Sequence, residues 1–131
     1  MRTDITAIIV TYNSAKILAT CLQALSLQDV QAIVVNNASQ DDSVDVAIKC
    51  GAKVIQSGKN LGYGRANNIG VRAAETPYIL IINPDVMVQP GAIDALVLAA
   101  NNDPDHALFS PKIIEPDGRV FDTRLGPLGP F

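Results

Sequence analysis

The run Ile5-Thr6-Ala7-Ile8-Ile9-Val10-Thr11-Tyr12-Asn13-Ser14 passes abruptly from β-branched and apolar residues to polar ones. Its first part predicts a strand over Ile5–Thr11. Asn13 and Ser14 are then N-cap candidates for a helix over Ala15–Leu27. In that helix Ile17, Leu18, Cys21, Leu22 and Leu25 fall on one face. Ala32–Val35 follows as a short, continuous apolar run, the mark of a strand buried on both sides.

The same alternation continues outward. Asp41–Lys49 reads as a second helix, with Ser39 or Asp41 as its cap and Gly51 as its stop. Val54–Gln56 is a third strand, and Gly64–Ala74 a helix entered through a glycine-rich turn. Tyr78–Ile82 is a fourth strand. Pro90 fits the first turn of a fourth helix running to about Ala100, with Ile93, Leu96 and Val97 facing the core. Ala107–Phe109 and Lys112–Ile114 look like short strands. This order argues for an α/β fold, an open, mostly parallel sheet with helices on both faces. After Gly118 the pattern fades, and Gly-Pro pairs suggest a loop. A doubly wound domain should not end there comfortably, so one domain is expected over residues 1–121. Residues 122–131 are expected to be a loose tail leading to an absent part.

With 131 residues, 48% hydrophobic and 18% charged, the chain suits one globular domain. The net charge of −3, without a basic patch, argues against nucleic acid as the partner. No apolar run reaches membrane-spanning length and no signal peptide opens the chain, so a cytoplasmic location is expected. Cys21 and Cys50 read as reduced, buried thiols; their spacing does not suit zinc. His106, the only histidine, is expected at the surface in Asp103-Pro104-Asp105-His106.

Ligands of open α/β sheets collect at the carboxyl ends of the strands, and four such ends are polar here. Thr11-Tyr12-Asn13-Ser14 offers a hydroxyl, a ring and an amide at a helix start, where free N–H groups can face an anion or a base; a plain helix cap would also explain it. Asn36 and Asn37 carry amides able to pair with a base edge, or to build an Asx-rich turn. In Asn60-Leu61-Gly62-Tyr63-Gly64-Arg65-Ala66-Asn67-Asn68-Ile69-Gly70, glycine lets backbone approach a ligand and Arg65 can neutralise phosphate. Asn67 stands where a dinucleotide fingerprint has its third glycine, so that motif is absent. The fourth strand ends Ile82-Asn83-Pro84-Asp85, either a turn or a carboxylate suited to a hard cation, Mg2+ or Mn2+.

In this order and spacing, Val10-Thr11-Tyr12-Asn13, Val34-Val35-Asn36-Asn37-Ala38-Ser39-Gln40-Asp41, the glycine-rich segment and Ile82-Asn83-Pro84-Asp85 resemble the family-2 inverting glycosyltransferases of GT-A type. The rhamnosyltransferase-like branch is the most similar, and the likeness runs to about Phe121. It implies transfer of a sugar from a nucleoside-diphosphate sugar to a glycan or lipid-linked acceptor hydroxyl, with inversion, at the inner face of a membrane. By the same resemblance Thr11, Tyr12 and Asn13 would border base and ribose. Asn36 or Asn37 would replace the acidic residue that usually reads the base, which leaves the base open. Gly62, Asn67 and Asn68 would line the nucleotide pocket, and Arg65 would reach toward the diphosphate. Asn83-Pro84-Asp85 would be a reduced Asp-x-Asp element, with Asp85 the metal ligand. The family's base and acceptor site lie downstream of the match. Asp117 and Asp122, the late aspartates, are poor substitutes. Two rival readings are a nucleotide-sugar-binding module without turnover and a piece that self-associates through an exposed sheet edge.

Overall fold

The computed structural model describes residues 1–121. The chain divides into two compact units, one spanning Met1–Ile93 and the other beginning at Asp94. In the first unit, β1 (Ile5–Thr11), β2 (Gln31–Asn36), β3 (Lys53–Gln56) and β4 (Tyr78–Ile81) form one sheet in the order β3-β2-β1-β4. All three pairings are parallel. Every residue of β1 is buried, as are five of the six in β2. That is why these two strands read as unbroken apolar runs instead of alternating ones.

Helices α1 (Ala15–Ser26), α2 (Ser43–Lys49) and α3 (Tyr63–Arg72) connect the strands. Ile8, Val10, Ile33 and Val35 form a core cluster with Ala66 of α3, and Ile69, Ala73 and Ile79 pack against it. Alternation then turns Ala7, Ile9 and Val34 to the other side of the sheet. There Leu18, Cys21, Leu22 and Leu25 of α1 are buried, and α1 packs against α2. Right-handed crossovers account for this split, because β1-α1-β2 and β2-α2-β3 step one way and β3-α3-β4 steps back across β1. Helices on both faces are therefore observed as expected.

The chain stops helices as its glycines foretell. Gly51 has φ +79°. Its N–H donates to Ile48 O, and that of Ala52 to Ala47 O, the double bond of a glycine-terminated helix. Capping at helix starts differs from expectation. Ser14 occupies the N-cap of α1, and its side chain caps nothing there. The donors at this end are met from 26 to 29 residues away: Ala15 N donates to Asp41 Oδ2 and Ser14 N to Ser43 Oγ. Asp42, not Ser39 or Asp41, occupies the N-cap of α2. Asp41 Oδ1 still accepts from Ser43 N at 3.0 Å, and it also takes a short bond from the Ser43 hydroxyl.

Helix α4 (Ala92–Asn102) begins two residues after Pro90, which lies in the preceding turn where Ala92 N meets Gln89 O. Ile93 is fully buried, and Leu96 and Val97 are half-buried. In the second unit Ala107–Phe109 forms no strand. The strand expected over Lys112–Ile114 is present as β5 (Ile113–Ile114), which pairs antiparallel with β6 (Val120–Phe121). The turn between them is closed by Gly118 N to Glu115 O and by Arg119, which donates from N and Nε to the Asp117 carboxylate. Pro116-Asp117-Gly118 carries that turn signal in the sequence, but two-residue strands are too short to show a period. Residues 122–131, with the expected tail and Asp122, lie outside the described residues.

Two expectations about stability follow. A β-carbon on Gly70 would collide with Ile8 Cγ2, a stiff side chain with no exposed surface. Gly70→Ala should lower stability by about 1–3 kcal/mol in denaturant unfolding, despite alanine's better helix propensity. The Ser43 hydroxyl and the Ala15 N–H hold the Asp41 carboxyl below the usual carboxylate range. A lowered native value means stability that is present above the ordinary value of about 4 and is lost as pH falls through the native one. Asp41→Asn should therefore lower Tm at neutral pH and flatten the decline of Tm between about pH 5 and 3.

Candidate functional site

The strand order reverses direction between β1 and β4, since β1 leads to β2 on one side while β3 crosses back to β4 on the other. Such a switch leaves a crevice at the carboxyl ends of the two strands. The register Ile8↔Ile81, continued by Ile82 N donating to Ile8 O, sets the Asn83-Pro84-Asp85 turn close to the end of β1. Thr11-Tyr12-Asn13 and Asn83-Pro84-Asp85 thus follow neighbouring strand ends on one edge of the sheet.

Asp85 is exposed, and its carboxylate makes no hydrogen bond or ion pair with another described residue. Val86 N donates to Asn83 O, which closes the turn beneath it. Beside it, Lys16, Ile17, Thr20 and Cys21 of α1 and Pro84–Met87 line a cavity of about 200 Å³. The Cys21 Sγ lies 3.7 Å from Asn83 O. Burial, and secondarily the Asp85 charge, push this thiol up to about 11, so it stays protonated and is no nucleophile at neutral pH. Among the described residues no three of His, Cys, Asp or Glu cluster as a metal site. A cation held at Asp85 would have to take its other ligands from outside these side chains, as magnesium commonly does from phosphate oxygens and water.

The other expected residues separate by exposure. Tyr12, Asn13, Gly62, Arg65, Asn68 and Asn83 are exposed, whereas Thr11, Asn36, Asn37 and Asn67 are buried. Asn36 and Asn37, expected to read a base, are 4% and 3% exposed, and their amides are engaged within the chain. Asn36 Oδ1 accepts from Ser39 N, and its Nδ2 donates to Gln56 Oε1. Asn37 Oδ1 accepts from Leu61 N at 2.8 Å, and its Nδ2 donates to Asn60 Oδ1 at 2.8 Å. Asn60 Oδ1 also accepts from Gly62 N. Asn37 is thus the anchor of the glycine-rich turn. Its backbone adds a bond from Asn37 N to Thr11 O, tying the second strand tip to the first.

The Tyr12–Ser14 segment is fastened the same way. Asn13, at φ 52°, donates from N to Ser39 Oγ and accepts at Oδ1 from Gln40 N. Asparagine tolerates this left-handed conformation better than most residues. Half of the Tyr12 ring surface stays exposed above these bonds. Gly62 has φ +80° at the N-cap of α3, and no side chain caps that helix. Its first N–H groups and the exposed Arg65 therefore stand together at a positive helix end. Thr11 Oγ1 and Asn67 Oδ1 are buried without a hydrogen-bond partner. The sequence pointed to neither Gln56 nor Ser57, since both look like ordinary strand-end residues. Their part in the Asn36–Asn37 network depends on the register Asn36↔Gln56.

Over residues 6–127 the chain matches the model of glycosyl transferase family 2. It is 32% identical to the N-acetylglucosaminyl-diphospho-decaprenol L-rhamnosyltransferase of Mycobacterium tuberculosis, over 92% of this chain and 45% of that enzyme. It therefore spans less than half the length of that relative. S. aureus TarS 1-349, solved in complex with UDP, superposes with a TM-score of 0.71 at 22% identity, over 77% of this chain and 33% of TarS. The mannosyltransferase PcManGT of Pyrobaculum calidifontis, solved with GDP-Man and Mn2+, gives 0.67 at 19% identity, over 74% and 32%. These likenesses show the GT-A fold. The family match across nearly the whole sequence gives the conclusion: this chain belongs to glycosyl transferase family 2.

Proposed function

We propose that this chain supplies the donor-binding part of a glycosyltransferase that moves a sugar from a nucleoside diphosphate to an acceptor hydroxyl with inversion. The observation that carries this reading is the reversal of strand order between β1 and β4, with an exposed Asp85 carboxylate, unpaired among the described residues, in the turn after β4. In this reading Asp85 holds Mg2+ or Mn2+, and Asn83 shapes the turn that presents it. The cation, when bound, stabilises negative charge on the departing diphosphate. Arg65 and the uncapped start of α3 attract the same phosphates. Tyr12 and Asn13 border base and ribose from the clamped first loop. Thr11, Asn36, Asn37 and Asn67 act from below, holding the strand tips and the glycine-rich turn, with Asn68 at the rim. A cavity of about 200 Å³ is too small to enclose a nucleotide-sugar, so it forms one wall of the site only.

The mycobacterial relative, a rhamnosyltransferase named for a diphospho-decaprenol acceptor, supports a lipid-linked acceptor and work at a membrane surface. No helix among the described residues is long and apolar enough to cross a membrane, which fits peripheral attachment at the inner face. A second reading, self-association, is favoured by β4, which pairs with β1 alone within its sheet.

Calorimetric titration of uridine and thymidine diphosphates and their sugars, with and without Mn2+, tests the site. Binding should require the metal. Asp85→Ala should weaken it by about tenfold or more, and Arg65→Ala by a smaller factor. Unchanged affinity in Asp85→Ala would remove the metal site proposed here. Sugar transfer, assayed separately, distinguishes an enzyme from a binding module, and a sedimentation run that shows only monomer would dismiss self-association.

A further inference from the structure

Gln56 closes β3 at the same level as Thr11 and Asn36, so that the three residues form a row across three strand tips. Partners in a parallel sheet share a face, so all three side chains leave on the side opposite the Ile8–Val35 cluster. A side-chain amide can be oriented either way, and here the backbone fixes the choice in two steps. Ser39 N–H can only donate, so the Asn36 atom 3.1 Å from it is Oδ1. Asn36 must then turn Nδ2 toward Gln56, and the Gln56 atom 2.7 Å away is the acceptor Oε1. Gln56 Nε2 is left as the free end, on an exposed residue. Because Asn36 is 4% exposed, the pair offers solvent the N–H donors of Gln56.

Resting on the nucleotide-binding reading above, we infer that Gln56 reads the nucleobase by donating from Nε2 to a ring carbonyl. Uracil and thymine carry a ring N–H flanked by two carbonyls, so their edge offers an acceptor whichever way it turns. Cytosine carries an amino group at C4 in place of the carbonyl there, so two donors oppose each other where the C4 edge faces Gln56. The row of tips therefore selects uridine or thymidine diphosphates over cytidine diphosphate. The buried asparagine does not meet the base; it aims the exposed glutamine that does.

The test uses the whole chain with Mn2+ and three ligands: uridine diphosphate, cytidine diphosphate and inorganic pyrophosphate. Gln56→Glu keeps the side-chain length and an oxygen facing Asn36 Nδ2, but turns the outward donor into an acceptor. Circular dichroism checks that it and Gln56→Ala are folded, as expected for an exposed position. Wild type should prefer uridine over cytidine diphosphate by about tenfold. Gln56→Ala should bring the two within about twofold, and Gln56→Glu should reverse their order. Pyrophosphate affinity should be the same in wild type and Gln56→Ala, and a fall there would assign Gln56 to phosphate and overturn the inference. A uridine-to-cytidine ratio unchanged in both variants would also overturn it, while leaving the nucleotide site standing. Wild type that binds no diphosphate would remove the donor-binding reading, and the role of Gln56 with it.

Discussion

Strand β1 lies between β2 and β4 with all seven of its residues buried, and the site is arranged around that burial. A strand enclosed on both faces can carry polar function only at its tip. Thr11 is the last buried residue of this run and Tyr12 the first exposed one, so the chain changes from core to solvent-facing surface within one peptide. The neighbours follow the same rule: β2 ends on Asn36 and β3 on Gln56. The parallel register aligns these changes, so that polar tips from strands distant in sequence share one edge.

The tips need internal support, because loops that leave a buried strand carry backbone groups that must find partners. Amides supply it. Asn37 satisfies the backbone of Leu61 and, through Asn60, that of Gly62; Asn36 satisfies Ser39. Asp41 and Ser43 meet the open end of α1 from the next loop. A neutral amide can be buried with hydrogen bonds at less cost than a carboxylate. An Asn-Asn pair at the end of β2 can therefore sink below the surface, where charged residues would be held at it. This leaves Tyr12, Arg65, Asp85 and Gln56 as exposed residues around them.

The elements of the first unit were legible because each carries a local signal. Continuous apolar runs marked β1 and β2, spaced apolar residues marked α1, and Gly51 marked the end of α2. Of the hairpin, β5 was legible within Lys112–Ile114, whereas its partner β6 was not, since a two-residue strand carries no period. Nor were the helix caps. Ser14 sits at the N-cap of α1, yet its donors are met by residues brought near only by packing of α1 on α2.

For the site, the sequence alone determined which residues are polar at strand ends, Asp85 among them, and with them the parallel architecture. These follow from composition and spacing, which are local properties of the chain. Only the tertiary structure decided which of the polar residues stay exposed at that edge. Asn36 and Asn37 resemble Tyr12 and Arg65 in the sequence as exposed binding groups, but the sheet register and the loop before α3 bury them in bonds of their own. Gln56 looks ordinary in the sequence and gains its direction from Ser39 through Asn36. Hydrogen-bond direction passes through contacts between distant segments, and such contacts exist only once the chain has folded.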